Sequence, residues 1–232
     1  MAKLEMSEVL KRKVRSGSLD ESVVPNWILL KDAIKAGKTA EALEFTDYIQ
    51  ERTEEAYVRF GIMANEFLTF IAANVGEEAI EKIWRARYKA RVQDFMRTAA
   101  NTEQFVKRIN EAEIGHHSVL SISEEADRFV VKCDPCGSGG RMRRAVAAGT
   151  TQKAYPWTWG RAGVAYYCTH CALEMEILPI EMRGYPLAIV EYNEKPDAPC
   201  VRLYYKSPEL IPEKYFTRVG QKRDVKKFKP TK

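Results

Sequence analysis

Histidine occurs only three times in the 232 residues, at His116, His117 and His170. The chain has no H-E-x-x-H metalloprotease motif and no Ser, His and Asp in a hydrolase order, and no C-x-x-C-H haem motif, because Ala172 follows Cys171. It lacks the G-x-x-x-x-G-K-[ST] loop and a glycine fingerprint after a parallel-sheet strand, which removes the two commonest nucleotide sites. No apolar run approaches the roughly 20 residues that span a bilayer. The opening MAKLEMSEVLKRKVR lacks the apolar stretch of a secretion signal, so a cytoplasmic protein is expected, with no membrane partner. Internal repeats are missing too.

Positive charge is scarce where it would matter for nucleic acid. After Gly220 the chain reads QKRDVKKFKPTK, whose six Lys or Arg and one Asp sum to +5, the net charge of the whole chain. Residues 1–220 are therefore balanced and carry no sustained basic stripe. The tail is read as a solvated, frayed terminus; the competing reading has it holding nucleic acid or an acidic partner through counterion release.

Cysteine is also sparse, with five residues, but four of them are paired. Cys133 and Cys136 form one C-x-x-C, Cys168 and Cys171 a second, and 31 residues separate the pairs. A two-residue gap lets two thiolates face one ion from a tight turn, and two such turns complete a tetrahedron suited to Zn²⁺. The expectation is one zinc on Cys133, Cys136, Cys168 and Cys171, with iron in a rubredoxin-like site as runner-up. A closed four-thiolate site is normally structural. His170, inside the second pair, could instead supply the fourth ligand and free one thiolate. Cys200 is left over.

The turn CDPCG resembles the knuckle of zinc ribbons and rubredoxins, and CTHCA resembles it with Ala172 where glycine is common. That likeness spans about forty residues and implies a metal. The layout of the whole chain, a helical front half before a small sheet carrying cysteine, is similar to bacterial enzymes of the aminothiazoline-carboxylate hydrolase type. The resemblance implies hydrolysis of a small heterocyclic acid; no catalytic motif matches residue by residue, so it assigns no site.

Periodicity gives the fold class. Residues 1–23 are a charged extension in which Ser7 to Val14 has the makings of a short helix. Over 24–115 the apolar residues recur at helical spacing: Trp27, Leu30 and Ile34, then Phe45, Ile49, Ala56, Phe60, Met63, Phe67 and Ile71, then Ile80, Ile83 and Trp84. Asn101 is placed to cap a further helix. This predicts an antiparallel helical bundle. Over 116–220 strands are expected at Val119 to Ile122, Arg128 to Lys132, Val164 to Tyr167, Tyr185 to Tyr192 and Cys200 to Lys206, with a short helix at Arg141 to Ala148 and another at Pro212 to Arg218. The class is α+β: a helical bundle packed on a small, mainly antiparallel sheet that carries the four-cysteine zinc site, with residues 221–232 as a basic tail.

For chemistry, His117 and His170 are the candidate proton carriers, since an unperturbed imidazole titrates near pH 6.5. In GSGGRMRR, Arg141 is placed to clamp a carboxylate or phosphate beside a glycine-rich turn. Trp157 and Trp159 are candidate pocket walls. Two functional readings follow. One is a zinc-containing bacterial-type enzyme, hydrolase-like, acting on a small anionic organic molecule with the zinc mainly structural. The other is a non-catalytic zinc-ribbon binding module, either a ligand sensor or a nucleic-acid or protein adaptor.

Overall fold

A computed structural model describes residues 3–98 and 101–228. The chain forms two compact units, residues 1–56 and 57–232, with the division inside one long helix. The class is α+β: a two-stranded hairpin, then helices, then a four-stranded antiparallel sheet interrupted by further helical turns.

The first unit opens with a hairpin of β1 (Lys3–Ser7) and β2 (Arg12–Ser16), paired from Lys3↔Ser16 to Ser7↔Arg12. This replaces the short helix expected from Ser7 to Val14. The reason is local: Glu8 to Lys11 turn back on themselves, with Lys11 at φ 50°, and Leu10 donates its N–H to the Ser7 hydroxyl. Ser18 then caps α1 (Leu19–Ser22) in a reciprocal box with Glu21. Pro25 precedes α2 (Asn26–Lys35), and Gly37, at φ 69°, ends it in the left-handed region that glycine tolerates. Phe45 and Tyr48 of α3 (Thr39–Asn74) are the large buried side chains of this unit.

In the second unit the end of α3 does not bury the face its periodicity suggests. Gly61, Asn65 and Leu68 are inward, while Phe60, Met63 and Phe67 are exposed. A backbone crossing decides this. A Cβ on Gly61 would stand 3.2 Å from the Met142 Cβ, so glycine lets helix α6 (Gly139–Ala145) approach closely. Asn65 then spends its amide on backbone, accepting from Tyr167 N–H at 2.9 Å and donating to the Gly149 carbonyl at 3.3 Å.

Helix α4 (Glu78–Thr98) buries Ile80 and Trp84, as expected, and leaves Ile83 more than one-third exposed. Asn101 caps α5 (Thr102–Gly115) by accepting the Gln104 N–H at 2.9 Å. Strands β3 (Leu120–Glu124), β4 (Arg128–Cys133), β5 (Ile189–Glu191) and β6 (Cys200–Tyr205) form one antiparallel sheet in the order β3-β4-β6-β5. Helix α5 packs on β6.

The expected strand from Val164 to Tyr167 is absent apart from one bridge, Thr150↔Ala165. In its place the chain coils: a 3-10 turn at Tyr166–Thr169, a π-helical stretch at Ala172–Ile177, and α7 (Leu178–Arg183). Every residue from Ala172 to Ile180 is buried, with α4 packed along this run. A helix buried on all sides has no polar face and so shows no amphipathic period. The second C-x-x-C thus sits on helical turns, not on a knuckle at a strand end.

Helix α8 (Glu213–Thr217) lies close to the expected span. The tail beyond it is docked as far as Phe228, whose ring stacks on Phe216 at 6.4 Å and meets Tyr185 edge-on at 5.5 Å. Arg223 donates to the Glu209 carbonyl at 2.5 Å. The expectation of a frayed terminus is corrected over these residues, because Phe228 supplies an apolar anchor among the charges; residues 229–232 lie outside the described residues.

Glu77 fastens the loop after α6. Its carboxylate accepts the Gln152 N–H at 2.6 Å, the Lys153 N–H at 3.3 Å and the Tyr166 hydroxyl at 2.7 Å. Burial alone would raise its pKa, but these donors outweigh it and hold the group below its ordinary 4.5. A carboxylate held low in the folded state stabilises fully above its unfolded pKa and loses that contribution as pH falls through the folded one. Unfolding free energy is therefore expected to drop between about pH 5 and pH 3, and Glu77→Gln should flatten that slope while costing roughly 1.5–3 kcal/mol at neutral pH. Urea titrations across that range test it; an unchanged slope in the variant would assign the acid sensitivity elsewhere.

Candidate functional site

The second unit encloses a cavity of about 330 Å³. Five segments named here shape it. Trp84, Arg87, Tyr88 and Arg91 come from α4, and Glu113 and His116 from the end of α5. Cys136, Ser138, Gly139 and Gly140 come from the turn into α6. The coiled run supplies Tyr167, Cys168, His170, Cys171 and Glu174, and β6 supplies Cys200 and Arg202.

Arg202 is the most unusual of these groups. On β6, Cys200, Arg202 and Tyr204 alternate onto one face of the sheet. Arg202 is only 4% exposed. Its Nη2 donates to Glu113 Oε1 at 2.9 Å, while Nε and Nη1 are buried with no hydrogen-bond partner. The Tyr204 hydroxyl lies beside the guanidinium but outside hydrogen-bonding geometry. Glu113 is held in turn: the Ser118 hydroxyl donates to its Oε2 at 2.9 Å, and the Gly137 N–H donates to that hydroxyl at 2.7 Å. Burial works against both charges, yet their mutual attraction keeps the carboxyl below its ordinary pKa and the guanidinium above its own.

His170 is sandwiched among rings, stacked on Tyr88 at 5.6 Å and edge-on to Trp84 at 5.5 Å. Its Nδ1 is 2.6 Å from the Tyr167 carbonyl, which can only accept, so the proton sits on Nδ1. That leaves the Nε2 lone pair facing Cys171 Sγ at 3.4 Å. Burial lowers the imidazole to about 4, so it is neutral at physiological pH. Burial likewise pushes Cys133 up to about 12 and raises Cys168, Cys171 and Cys200 above the ordinary thiol value. Glu174 is raised by burial, with Arg91 at 2.7 Å pulling the other way.

The structure divides the residues singled out by sequence. His170, Trp159, Cys136, Cys168 and Cys171 line the cavity; His117, Arg141, Trp157 and Cys133 do not. His117 adopts φ 58° and offers its carbonyl to Arg141 at 3.0 Å, so those two serve each other. Trp157 is in the core, 1% exposed, stacked on Tyr155 at 4.8 Å. Trp159 reaches the cavity while its Nε1–H donates to buried Glu176 at 2.9 Å. Cys133 faces Cys200 across the β4–β6 ladder and is buried in the core, 1% exposed.

A single zinc needs each sulfur about 2.3 Å away, so its ligands must nearly touch one another. Among the described residues no three of His, Cys, Asp and Glu are arranged to hold a metal ion. The described side chains of Cys133, Cys136, Cys168 and Cys171 do not form the expected tetrahedron.

Sequence reasoning passed over Arg202, Glu113, His116, Arg91 and Cys200. One signal was available for two of them: in CVRLYY a cysteine and an arginine alternate with aromatic and aliphatic residues, which puts a cation on the buried face of a strand. A second cavity, about 210 Å³, lies between α4, α5 and the β5–β6 edge, lined by Phe95, Arg183, Tyr185 and Lys206 among others, and contains none of the predicted residues. No family model, no curated protein and no solved structure matches the chain.

Proposed function

We propose that the chain is an enzyme acting on a small anionic organic molecule held in the cavity of about 330 Å³, with hydrolysis as the reaction class. The observation that carries the reading is Arg202: a buried cation with two N–H donors left without partners beside an enclosed space. Leaving such donors unmade is costly, and an anionic oxygen in the cavity would give one of them a charge-assisted acceptor. Glu113 fixes the guanidinium by accepting from Nη2. The rings of Trp84, Tyr88 and Tyr167 give the molecule an apolar wall. His170, neutral and with Nε2 accepting from the Cys171 thiol, is the proton carrier, replacing the pair His117 and His170 considered from sequence. Arg141 gives up the anchoring role to Arg202, since its guanidinium is directed at the His117 carbonyl.

The competing reading is a non-catalytic module, either a sensor or an adaptor working through the basic tail. The docking of Phe228 and Arg223 weighs against the tail as a free arm. No membrane partner is invoked, and no described helix is long and apolar enough to cross a bilayer.

Calorimetric titration with a panel of small carboxylates and organic phosphates tests the proposal. Wild type should bind at least one saturably, and Arg202→Lys should weaken it by roughly 1.5–3 kcal/mol, about 10- to 150-fold, because lysine lacks the planar array of donors. Thermal denaturation of both proteins controls for folding, and ligand-dependent stabilisation should appear in wild type alone. Saturable binding that survives Arg202→Lys, or that is lost instead on neutralising Lys222 and Lys226, would retire the anchor. Binding with no turnover would favour the sensor.

A further inference from the structure

Four of the five cysteines line one cavity, and they are not the four that the C-x-x-C spacing selects. Cys136 enters from the turn after β4, Cys168 and Cys171 from successive turns of the coiled run, and Cys200 from the start of β6. Cys136 lies within Coulombic reach of each of the other three. Cys133, the ladder partner of Cys200, lies within the same reach of Cys136 and Cys200 but is 1% exposed and does not line the cavity.

Two glycines clear the space in front of these sulfurs. A Cβ on Gly139 would fall 2.7 Å from Cys168 Sγ, and one on Gly140 would fall 3.1 Å from the Cys136 Cβ. Any side chain at Gly139 would push into the sulfur, so the backbone there is kept bare against the thiol wall.

Such a ring of thiols does not close on one ion. A polynuclear centre has the opposite requirement. It brings its own inorganic sulfide, so its protein ligands stand around its corners and not around a point. We propose that Cys136, Cys168, Cys171 and Cys200 hold an iron–sulfur cluster in this cavity. Binding forms four Fe–S(Cys) bonds and releases the four thiol protons to solvent; iron and inorganic sulfide are supplied from outside. The proposal shares only the location with the anion reading above. A cluster that forms while anion binding fails would sink that reading alone, and the converse would sink this one.

The test is anaerobic reconstitution of the full chain with ferric iron, sulfide and excess dithiothreitol, followed by desalting and measurement of protein-bound iron, sulfide and visible absorbance. Wild type should retain iron and sulfide in equal amounts, with a broad thiolate-to-iron band. Cys200→Ser should lose most of that iron, at least fivefold, whereas Cys133→Ser should keep it. A single-ion site on the two C-x-x-C pairs gives the reverse, with Cys133→Ser losing metal and Cys200→Ser silent, and that result overturns the proposal. Iron bound without sulfide overturns it as well, as does one zinc per chain bound in competition with iron and protecting Cys133. Where a serine variant fails to fold, alkylation of the wild type decides. Iodoacetamide should label Cys136, Cys168, Cys171 and Cys200 before reconstitution and not after it. Labelling that is unchanged by reconstitution refutes the cluster.

Discussion

Glu176→Ala is expected to destabilise the protein by about 3–5 kcal/mol, the scale on which breaking a buried ion pair leaves one charge stranded. Glu176 is 0% exposed, in the middle of the π-helical stretch. Its Oε1 accepts three hydrogen bonds: from Trp159 Nε1 at 2.9 Å, from the Val190 N–H at 2.9 Å and from Arg218 Nη2 at 2.8 Å. One carboxylate therefore joins the coiled run to the aromatic loop, to β5 and to the turn after α8. Burial raises its pKa and Arg218 opposes the rise, so the ionised form depends on the arginine. Alanine would orphan three donors at once. Glu176→Gln should cost less, because its carbonyl still accepts from the indole and the backbone, and the double variant Glu176→Ala/Arg218→Ala should fall well short of the sum of the two single losses. Denaturant unfolding of wild type and the four variants measures this, and a Glu176→Ala protein within about 1 kcal/mol of wild type would mean that water replaces the carboxylate.

Gly137→Ala is the second large expectation, a loss of roughly 4 kcal/mol or more, the range reserved for a clash or a broken buried network. A Cβ there would sit 1.8 Å from the His116 carbonyl oxygen and 2.8 Å from the Ser118 nitrogen. These are backbone atoms at the end of α5, which cannot rotate aside. The same peptide donates to the Ser118 hydroxyl, which holds Glu113, which holds Arg202. Displacing it should therefore disturb the anion anchor as well as the fold. Ser118→Ala separates the two effects: it keeps the backbone contact, and should cost about 1 kcal/mol in stability while still loosening Arg202. If Gly137→Ala melts as wild type does, β3 and β4 have moved away from α5, and the chain of contacts to Arg202 is weaker than its distances imply.

The parts of the fold that sequence made legible share one property: their signal is local. Asn101 and Gln104 announce the start of α5, Gly37 the end of α2, and the alternation around Arg128 to Lys132 announces β4. What failed was decided by partners remote in sequence. Phe60 and Phe67 have the right spacing for a core face, yet Gly61 wins because Met142 approaches it. The coiled run from Tyr166 to Arg183 is invisible to periodicity because its first two turns and the whole π-helical stretch are covered on nearly every side. The candidate site failed in the same way. The C-x-x-C spacing drew attention to the correct wall but not to Cys200, which joins that wall from β6, and a ladder partner cannot be read from either strand alone. Arg202 was passed over for being in a strand, where an arginine is ordinarily solvated.

The strand order β3-β4-β6-β5 has a consequence for the newborn chain. The strand made last lies in the interior of the sheet, and β5, made before it, has no other strand to pair with. During synthesis β4 and β5 must wait, each with a bare hydrogen-bonding edge, until β6 slides between them. Cys200 and Arg202 arrive on that same strand. No nascent fragment ending before about residue 205 can own the complete cavity wall. Whatever the cavity receives, it can receive only once β6 has been made, so loading follows the synthesis of that strand and is not a nucleus for folding.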